Sequence, residues 1–369
     1  MKALISKVRK YIPLFSLVVF VITLITFVLH LVILNNVAFA DFFNYNISFP
    51  VRSVLALATY VIPCSLAELF VLLSPVLVAG MIVIVVKCAK KGKVASVRLL
   101  MIILAVACLI FVLFVWTYSS GFHMSKIDDK MNLKRENITE EELFLASKYI
   151  VEDLNSLVEQ IEYDENGASQ LPYSYWEMSR KICDAYDSFV EKYPVVRNYE
   201  SRIKPIILSE PMTYTHISGI YTYMSGEANV NVNYPDFIIS STAAHEMAHQ
   251  RGIAREDEAN FLSFAVLLES DEPFLKYSAY LDVYSTVLNN LYQTNSALYY
   301  ELVGQLDGRV KNDLKSYNEF FKKYADSTAS EVADSVNNSY LQANGQEQGT
   351  KTYGMITELV TAYLLKRTK

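Results

Sequence analysis

Long uninterrupted runs of apolar residues fill the first third of the chain. Three of them, at 11–40, 69–86 and 99–122, reach the roughly 17–25 residues that a helix needs to cross a bilayer. A fourth run, at 53–67, is uncharged but is interrupted by Pro63. We expect it to form a short, half-buried helix packed against the second span, and a fourth transmembrane helix is the alternative.

After residue 125 the apolar residues recur mostly at helical spacing. Thr139 and Glu142 have the sequence of a capping box, which predicts a helix that ends near residue 163, and a second helix is predicted over Tyr175–Lys192. Further helices are predicted at 236–251, 255–270, 273–296, 298–325, 328–342 and 351–367.

Between these helices the spacing changes to that of strands. Residues 203–208 alternate weakly, and residues 219–223 and 228–233 are typical of two strands joined through Ser225 and Gly226. The sequence therefore predicts an α+β fold that is mostly helical, in which transmembrane helices precede a part with a small sheet. We place a membrane domain at 1–125, with three or four transmembrane helices, and a second domain at 126–369.

The basic residues indicate how the chain crosses the membrane. Four of them precede the first apolar run, and five lie at 87–98 without any acidic residue. Because basic residues concentrate on the cytoplasmic side, we expect the N-terminus and the 87–98 loop in the cytoplasm and residues 126–369 outside. The first run also resembles a signal peptide that ends at Ala40, but it is far longer than a signal core, so we expect an uncleaved anchor.

The composition excludes some classes of function. Hydrophobic residues make up 52% of the chain and charged residues 20%, which is more apolar than an ordinary soluble protein. A net charge of −6 offers no basic surface for nucleic acid, so the expected partners are the lipid bilayer and a substrate. The four cysteines are far apart, so we expect neither a disulfide framework nor a paired-cysteine metal site.

The run HEMAH that begins at His245 is an HExxH motif. His245 and His249 are four positions apart, so on a helix they project from one face and both imidazoles can bind one Zn²⁺. Glu246 then lies beside the position left for water and is the candidate general base. Pro235 before the segment and Gly252 after it are typical helix boundaries, which places the motif on a helix.

A catalytic zinc needs a third protein ligand, and an acidic cluster follows the motif. Glu256, Asp257 and Glu258 are candidates, but residues two apart on a helix face about 200° apart, so Glu256 and Glu258 cannot both reach the metal. Glu256 shares a face with Asn260 beside the apolar stripe. We favour Glu256 as the ligand and Asn260 as a hydrogen-bond partner of a ligating histidine. Glu258 remains the alternative ligand, and otherwise pairs with a nearby basic side chain or faces solvent.

Residues 219–268 carry the most specific similarity to a known family. With the run GEANVN from Gly226 and the motif through Asn260, they resemble a family of uncharacterised bacterial membrane proteins described only as a domain of unknown function. Members of that family have an N-terminal membrane region and are predicted zinc peptidases. A glutamate-bearing helix after HExxH is also similar to the gluzincin zinc peptidases.

This resemblance implies a zincin-like domain with His245, His249 and Glu256 as metal ligands and Glu246 as the general base. It covers most of the chain in outline, although its specific motifs occupy only the region named above. The gap between His249 and Glu256 is shorter than in better-known gluzincins. The resemblance implies no particular substrate.

A zinc peptidase also needs a surface that binds the substrate and a donor that stabilises the oxyanion. Zinc peptidases commonly bind an extended substrate along an exposed strand edge, and residues 227–233 are polar and rich in asparagine. We expect them to be either that edge or an ordinary hairpin strand. The candidates for stabilising a developing oxyanion are His216, Tyr221, Tyr223, Tyr280 and Tyr284.

The sequence therefore predicts a membrane-anchored zinc metallopeptidase that hydrolyses peptide bonds outside the cytoplasm, in the cell membrane of a bacterium. Its substrate is a peptide or protein, and a cell-wall peptide is an alternative. The rival function is a non-catalytic zinc-binding sensor or scaffold at the membrane surface, although a protein that only binds zinc does not need Glu246. The motif lies far along the chain from the last apolar run, which argues against cleavage inside the membrane.

Overall fold

The computed structural model describes residues 8–133, 138–325, 327–349 and 355–367. Its first long helix, α1 (Leu14–Asn35), is followed by Asn36, whose side chain caps the next helix, α2 (Val37–Phe43). A π-helical turn (Asn44–Ser48) leads into α3 (Phe49–Tyr60). Two long helices follow, α4 (Leu66–Lys90) and α5 (Lys93–Thr117).

Within the described residues, α1, α4 and α5 are the helices long and apolar enough to cross a membrane. They confirm the three predicted apolar helices, although α4 and α5 begin several residues earlier than the runs at 69–86 and 99–122. The run at 53–67 overlaps α3, which has 12 residues and is too short to cross a bilayer. Apart from the π-helical turn that precedes it, α3 mainly contacts α5 and the sheet described below. The expectation that it packs mainly against the second span, α4, is therefore wrong.

Two helices of the next region begin with the capping boxes that their sequences encode. After a 3₁₀ turn (Ser119–Phe122) and α6 (Ile127–Met131), the helix α7 (Glu140–Leu157) is capped by Thr139 and Glu142. It ends earlier than expected, because β1 (Glu162–Tyr163) and β2 (Ser169–Gln170) form a short antiparallel hairpin that the sequence did not predict. The helix α8 (Tyr175–Lys192) has the predicted bounds.

A three-stranded sheet follows α8. It consists of β3 (Ile203–Pro205), β4 (Gly219–Thr222) and β5 (Glu227–Val230), with a short helix α9 (Ser209–Thr213) between β3 and β4. The strand order is β3–β5–β4, with β5 parallel to β3 and antiparallel to β4. All four residues of β5 are buried. Of the two alternatives expected for residues 227–233, the exposed substrate edge is therefore wrong and the ordinary hairpin strand is confirmed: β5 is the inner strand of a hairpin, and β4 is an edge strand.

Helices form the rest of the described chain. The single helix expected at 298–325 is wrong: it is interrupted at Leu306, and the Asp307 side chain accepts the N–H of Arg309 to cap a new helix. The fold is α+β and mostly helical, as predicted. The remaining helices are α10 (Asp236–Gln250), α11 (Glu256–Leu267), α12 (Pro273–Thr294), α13 (Ser296–Gln305), α14 (Gly308–Lys322), α15 (Thr328–Ala343) and α16 (Thr357–Arg367).

One continuous core joins the apolar helices to the rest of the chain. Ile33 of α1, Phe43 of α2 and Val115 of α5 belong to the same cluster of buried side chains as Phe261 and Tyr363. Within this core α10 contacts α11, α12 and the strands β4 and β5. The ends of α1 and α5 therefore support the helix that carries the HExxH motif, and the domain boundary at residue 125 remains a prediction.

Candidate metal centre

The position of the site follows from the turn between α10 and α11. After the last turn of α10, Gly252 adopts a φ of 100°, which glycine reaches without the steric cost that a Cβ brings. A Cβ there would also collide with the guanidinium of Arg52. The turn lets α11 pack back onto α10, so that Glu256, the first residue of α11, faces the motif.

His245, His249 and Glu256 come together at this point. The Oε2 atom of Glu256 lies 3.3 Å from Nε2 of His245 and 3.4 Å from Nε2 of His249. One donor atom from each residue lies within 4.8 Å of the others. These are the three ligands that the resemblance implied, and the register argument had favoured Glu256.

The three side chains fit a zinc ion. Tetrahedral ligands about 2.0–2.1 Å from zinc lie about 3.3–3.4 Å from one another, which is the separation found here between Glu256 and each histidine. Oε2 of Glu256 is buried and makes no hydrogen bond of normal geometry in the described chain. Nδ1 of His249 lies 2.7 Å from the carbonyl oxygen of Ile253. Because that oxygen can only accept, Nδ1 carries the hydrogen and Nε2 is left for a metal.

The charges of the site are coupled. Burial lowers the pKa of His249, but the carboxylates of Glu256 and Glu246 and the carbonyl of Ile253 together outweigh burial and raise it to about 9. Burial also raises the pKa of Glu256, whereas His249 and His245 lower it well below its ordinary value. At neutral pH Glu256 is therefore ionised and His249 protonated, so a metal must displace a proton from His249.

Glu246 lies beside these three residues with one oxygen unengaged. Its side chain is buried, and its Oε2 makes no hydrogen bond within the described residues. Burial raises its pKa against the lowering effects of His245, His249 and the backbone N–H of Tyr221. Gly219 of β4 packs against this carboxyl: a Cβ on Gly219 would lie 2.5 Å from Oε1 of Glu246. A buried carboxyl with a raised pKa and a free oxygen is suited to proton transfer.

The neighbouring acidic residue Glu258 has other partners. Its Oε1 accepts from the guanidinium of Arg255 at 2.7 Å and from the backbone N–H of Ile127 at 3.0 Å. Glu258 thus pairs with a basic side chain, and it is fully buried, not solvent-facing. Asn260 is half buried one turn after Glu256, and its expected hydrogen bond to a ligating histidine stays a prediction.

Three side chains around the site were missed by the sequence analysis. The Tyr118 Oη lies 3.1 Å from Nδ1 of His249. Burial raises the pKa of Asp282 on α12, and His245 lies close enough to oppose part of this increase. Burial first, then the charges of Tyr223 and Glu256, raise the pKa of Tyr340 on α15. No motif or periodicity marks these residues, because tertiary packing alone brings them here.

Residues 42–361 match the model of a family described as Protein of unknown function (DUF3810). The chain belongs to this family. The resemblance to a family described only as a domain of unknown function is thereby confirmed. The similarity to gluzincins stays a hypothesis. No curated protein and no solved structure matches the chain.

In this DUF3810 protein the tyrosines of the β4 hairpin lie close to the candidate metal centre, Tyr221 directly and Tyr223 through Tyr118. The ring of Tyr221 stacks near His249, with centroids 6.5 Å apart, and Tyr118 stacks on Tyr223 at 6.3 Å. The other expected oxyanion candidates have different surroundings. Nε2 of His216 lies 2.7 Å from the carbonyl of Tyr324. Tyr280 donates to Asp153, and Tyr280 and Tyr284 each lie two positions from Asp282 on α12, so they point away from its face.

The edge of β4 also faces the candidate base. The carbonyls of Ser218 and Thr222 accept N–H groups from Asn231 and Gly226 on the β5 side. Because main-chain groups alternate along an antiparallel strand, those of Gly219 and Tyr221 point to the opposite side, where Glu246 lies. The outer edge of β4 therefore borders the metal centre.

Proposed function

We propose that this protein is a membrane-anchored zinc metallopeptidase that hydrolyses a peptide or protein substrate on the extracytoplasmic side of a bacterial membrane. The observation that carries the proposal is the approach of one Glu256 oxygen to within 3.4 Å of both histidine Nε2 atoms, with a free oxygen of Glu246 beside them. Bound at this site, Zn²⁺ supplies a Lewis acid that polarises a scissile carbonyl and acidifies a water molecule.

The chain's own residues have distinct roles in this reaction. Glu246 takes the proton of the attacking water and delivers it to the leaving amine, and its raised pKa supports both transfers. Burial raises the pKa of Tyr223 and of Tyr340, so both keep their hydroxyl protons at neutral pH. Both are therefore candidates for donating a hydrogen bond to the developing oxyanion. Tyr118 is a weaker candidate, because its hydroxyl already contacts His249.

The edge strand β4 supports a mode of substrate binding. An extended peptide can add to an exposed strand through main-chain hydrogen bonds, and the outward groups of Gly219 and the outward carbonyl of Tyr221, whose N–H donates to Glu246, lie beside the candidate base. A peptide bound along β4 would pass beside the candidate base. The proposed substrate strand is therefore β4, and not residues 227–233, for which the sequence had left a substrate edge and an ordinary hairpin strand open.

The location of the site favours a substrate close to the membrane. Tyr118, which contacts His249, directly follows Thr117, the last residue of α5. Phe114 of α5 contacts the ring of Tyr223 at 5.6 Å. If α5 crosses the bilayer, the candidate metal centre lies at its surface, within reach of membrane-attached peptides and of the cell wall.

Metal analysis combined with peptide digestion tests the proposal on the full-length chain in detergent. We expect about one zinc per chain, and cleavage within either a peptide library or a set of cell-wall peptides. Glu246→Gln should retain zinc while hydrolysis falls roughly 10²–10⁴-fold, and Glu301→Gln on the exposed face of α13 is the matched control. Full activity of the Glu246 variant would contradict the mechanism. Bound zinc without any cleavage would favour the sensor or scaffold function instead.

A further inference from the structure

A cavity of about 450 Å³ lies beside the turn that follows α10. Its walls come from α2, the π-helical turn and the start of α3 (residues 41–52), from residues 194–197 after α8, and from Arg251 and Ile253 of the turn. It is separate from the three candidate metal ligands, none of which lines it. A volume of this size is typical of small-ligand sites in proteins.

The charged side chains of this cavity are predominantly basic. Arg52, Arg197, Arg251 and Lys130 line it together with one acidic residue, Asp41. Asp41 is already paired with Lys130, at 2.8 Å. In the part of the chain that the structure describes, the partners of the three arginines are carbonyls, neutral polar groups and aromatic rings, not carboxylates. The cavity therefore has an excess of positive charge.

Arg52 shows this excess most clearly, since it is only 1% exposed. Its Nη atoms donate to the carbonyls of Thr117 at 2.8 Å, Arg251 at 3.3 Å and Asn44 at 3.4 Å. Its Nε is buried and has no hydrogen-bond partner among the described residues. A buried guanidinium without a counter-charge and with an unused donor is costly, so an anion in the cavity would stabilise it.

Arg197 presents a second guanidinium in a fixed orientation. It lies 4.1 Å from the ring centroid of Tyr45 and 5.3 Å from that of Phe49. Contacts of this kind hold the planar group in place and leave its N–H edge available for an anion. Tyr45 and Phe42 are themselves exposed, on α2 and the π-helical turn that follow the first membrane-length helix. Aromatic side chains in such positions are typical of the interface between membrane and water.

We propose that this cavity binds a phosphate group, supplied by the headgroup of an anionic phospholipid. Guanidinium groups bind phosphate oxygens through paired, charge-assisted hydrogen bonds, and the end of α1 lies where headgroups are found if α1 crosses the bilayer. The site does not depend on the metal chemistry. It does share the turn that positions the metal centre, since Ile253 lines the cavity and its carbonyl contacts His249.

Thermal unfolding of the full-length chain in a non-ionic detergent tests this site. We expect phosphatidylglycerol to raise the melting temperature above that measured with zwitterionic phosphatidylcholine. In Arg197→Gln the phosphatidylglycerol concentration that gives half of the shift should rise roughly tenfold or more, since charged hydrogen bonds contribute about that much affinity. Arg202→Gln is the matched control, because Arg202 also lies on an aromatic ring, Trp176, but does not line the cavity.

Inorganic phosphate in place of lipid identifies the source of the ligand. A shift by phosphatidylglycerol that depends on Arg197 supports the lipid site, and an equal, Arg197-dependent shift by phosphate alone supports the anion site with free phosphate as its ligand. If Arg197→Gln fails to fold, Arg197→Lys, which keeps the charge but loses the fork, should show an intermediate weakening. The absence of a shift with both ligands, or equal shifts in the Arg197 and Arg202 variants, would overturn the proposal.

Discussion

The phenol oxygen of Tyr118 lies 3.1 Å from Nδ1 of His249, although the two residues are 131 positions apart. Tyr118 directly follows α5, so the end of a membrane-length helix contacts a candidate metal ligand. The distance along the chain between the apolar runs and the motif had argued against cleavage inside the membrane, and that expectation stands as a prediction. The fold nevertheless brings the two regions into contact, because α5 ends beside the turn that joins α10 to α11.

This contact predicts that Tyr118 tunes the metal affinity. Nδ1 of His249 bonds to the Ile253 carbonyl and also contacts the Tyr118 hydroxyl, so both groups fix the ring orientation that Nε2 needs. Tyr118→Phe should weaken zinc binding roughly tenfold, within the range measured for partners of ligating histidines. Competition titrations with a zinc chelator would measure the effect. Tyr221→Phe is the control, since its ring also stacks near His249 but its hydroxyl has no partner in the described chain; equal losses in both variants would contradict a role of the Tyr118 hydroxyl.

The two candidate third ligands should separate in a pair of matched variants. Glu256→Gln removes the charge that faces both histidines and should abolish stoichiometric zinc binding. Glu258→Gln should keep zinc but lower the free energy of unfolding by roughly 2 kcal/mol, because it weakens a buried pair with Arg255. Metal content and chemical denaturation of the two proteins measure both effects. Loss of zinc in the Glu258 variant alone would show that Glu258 is the ligand.

Much of this architecture could be predicted from local sequence. The bounds of α8 and the start of α7 follow from capping residues and periodicity, and the turn at Gly252 follows from a glycine after the motif helix. The register argument favoured Glu256 over Glu258, and the structure places Glu256 beside the histidines. Asp307, an N-cap residue between two glycines, could have revealed the break between α13 and α14.

The rest depended on tertiary packing. The segment that contains β5 has a polar sequence, which suggested an exposed strand. Asn229 and Asn231 are nevertheless buried, and their burial is tolerated because their side chains bond to other parts of the sheet region. Asn229 donates to the Ile220 carbonyl and Asn231 to that of Ile217. Burial of polar groups with internal partners leaves no periodic signal. The same holds for Tyr118 and Tyr340, whose contacts join distant segments.

Gly219 is predicted to be required for catalysis but not for metal binding. A Cβ at this position would meet Oε1 of Glu246 and Cγ2 of Thr242, each at 2.5 Å, so Gly219→Ala must displace the base or the strand. A shift of about 1 Å in a reacting group can lower the rate roughly 10²-fold. We expect hydrolysis to fall by about that factor while zinc content stays unchanged. Gly304→Ala, where a Cβ meets nothing within 4 Å, should be active, and an active Gly219→Ala would argue against the assigned position of Glu246.

The membrane topology is open to a direct test. The basic loop at 87–98 is expected in the cytoplasm, and three spans then place the C-terminal region outside. A reporter that is active only in the cytoplasm should be active when inserted in this loop and silent when fused after Lys369. The opposite pattern would invert the proposed orientation. Activity at both positions would require an even number of crossings between them.

Zinc binding should depend on pH through His249. In the metal-free protein its pKa is raised to about 9, since the carboxylates of Glu256 and Glu246 and the Ile253 carbonyl together outweigh the lowering effect of burial. Below pH 9 zinc must displace a proton, so its apparent affinity should rise roughly tenfold per pH unit between pH 7 and 9 and level off above that range. Calorimetry at pH 7 in two buffers of different ionisation enthalpy should register about one proton released per zinc from this group. An affinity that stays constant from pH 7 to 9 would show that His249 is neutral before the metal binds, and that the Glu256 carboxylate does not hold its proton.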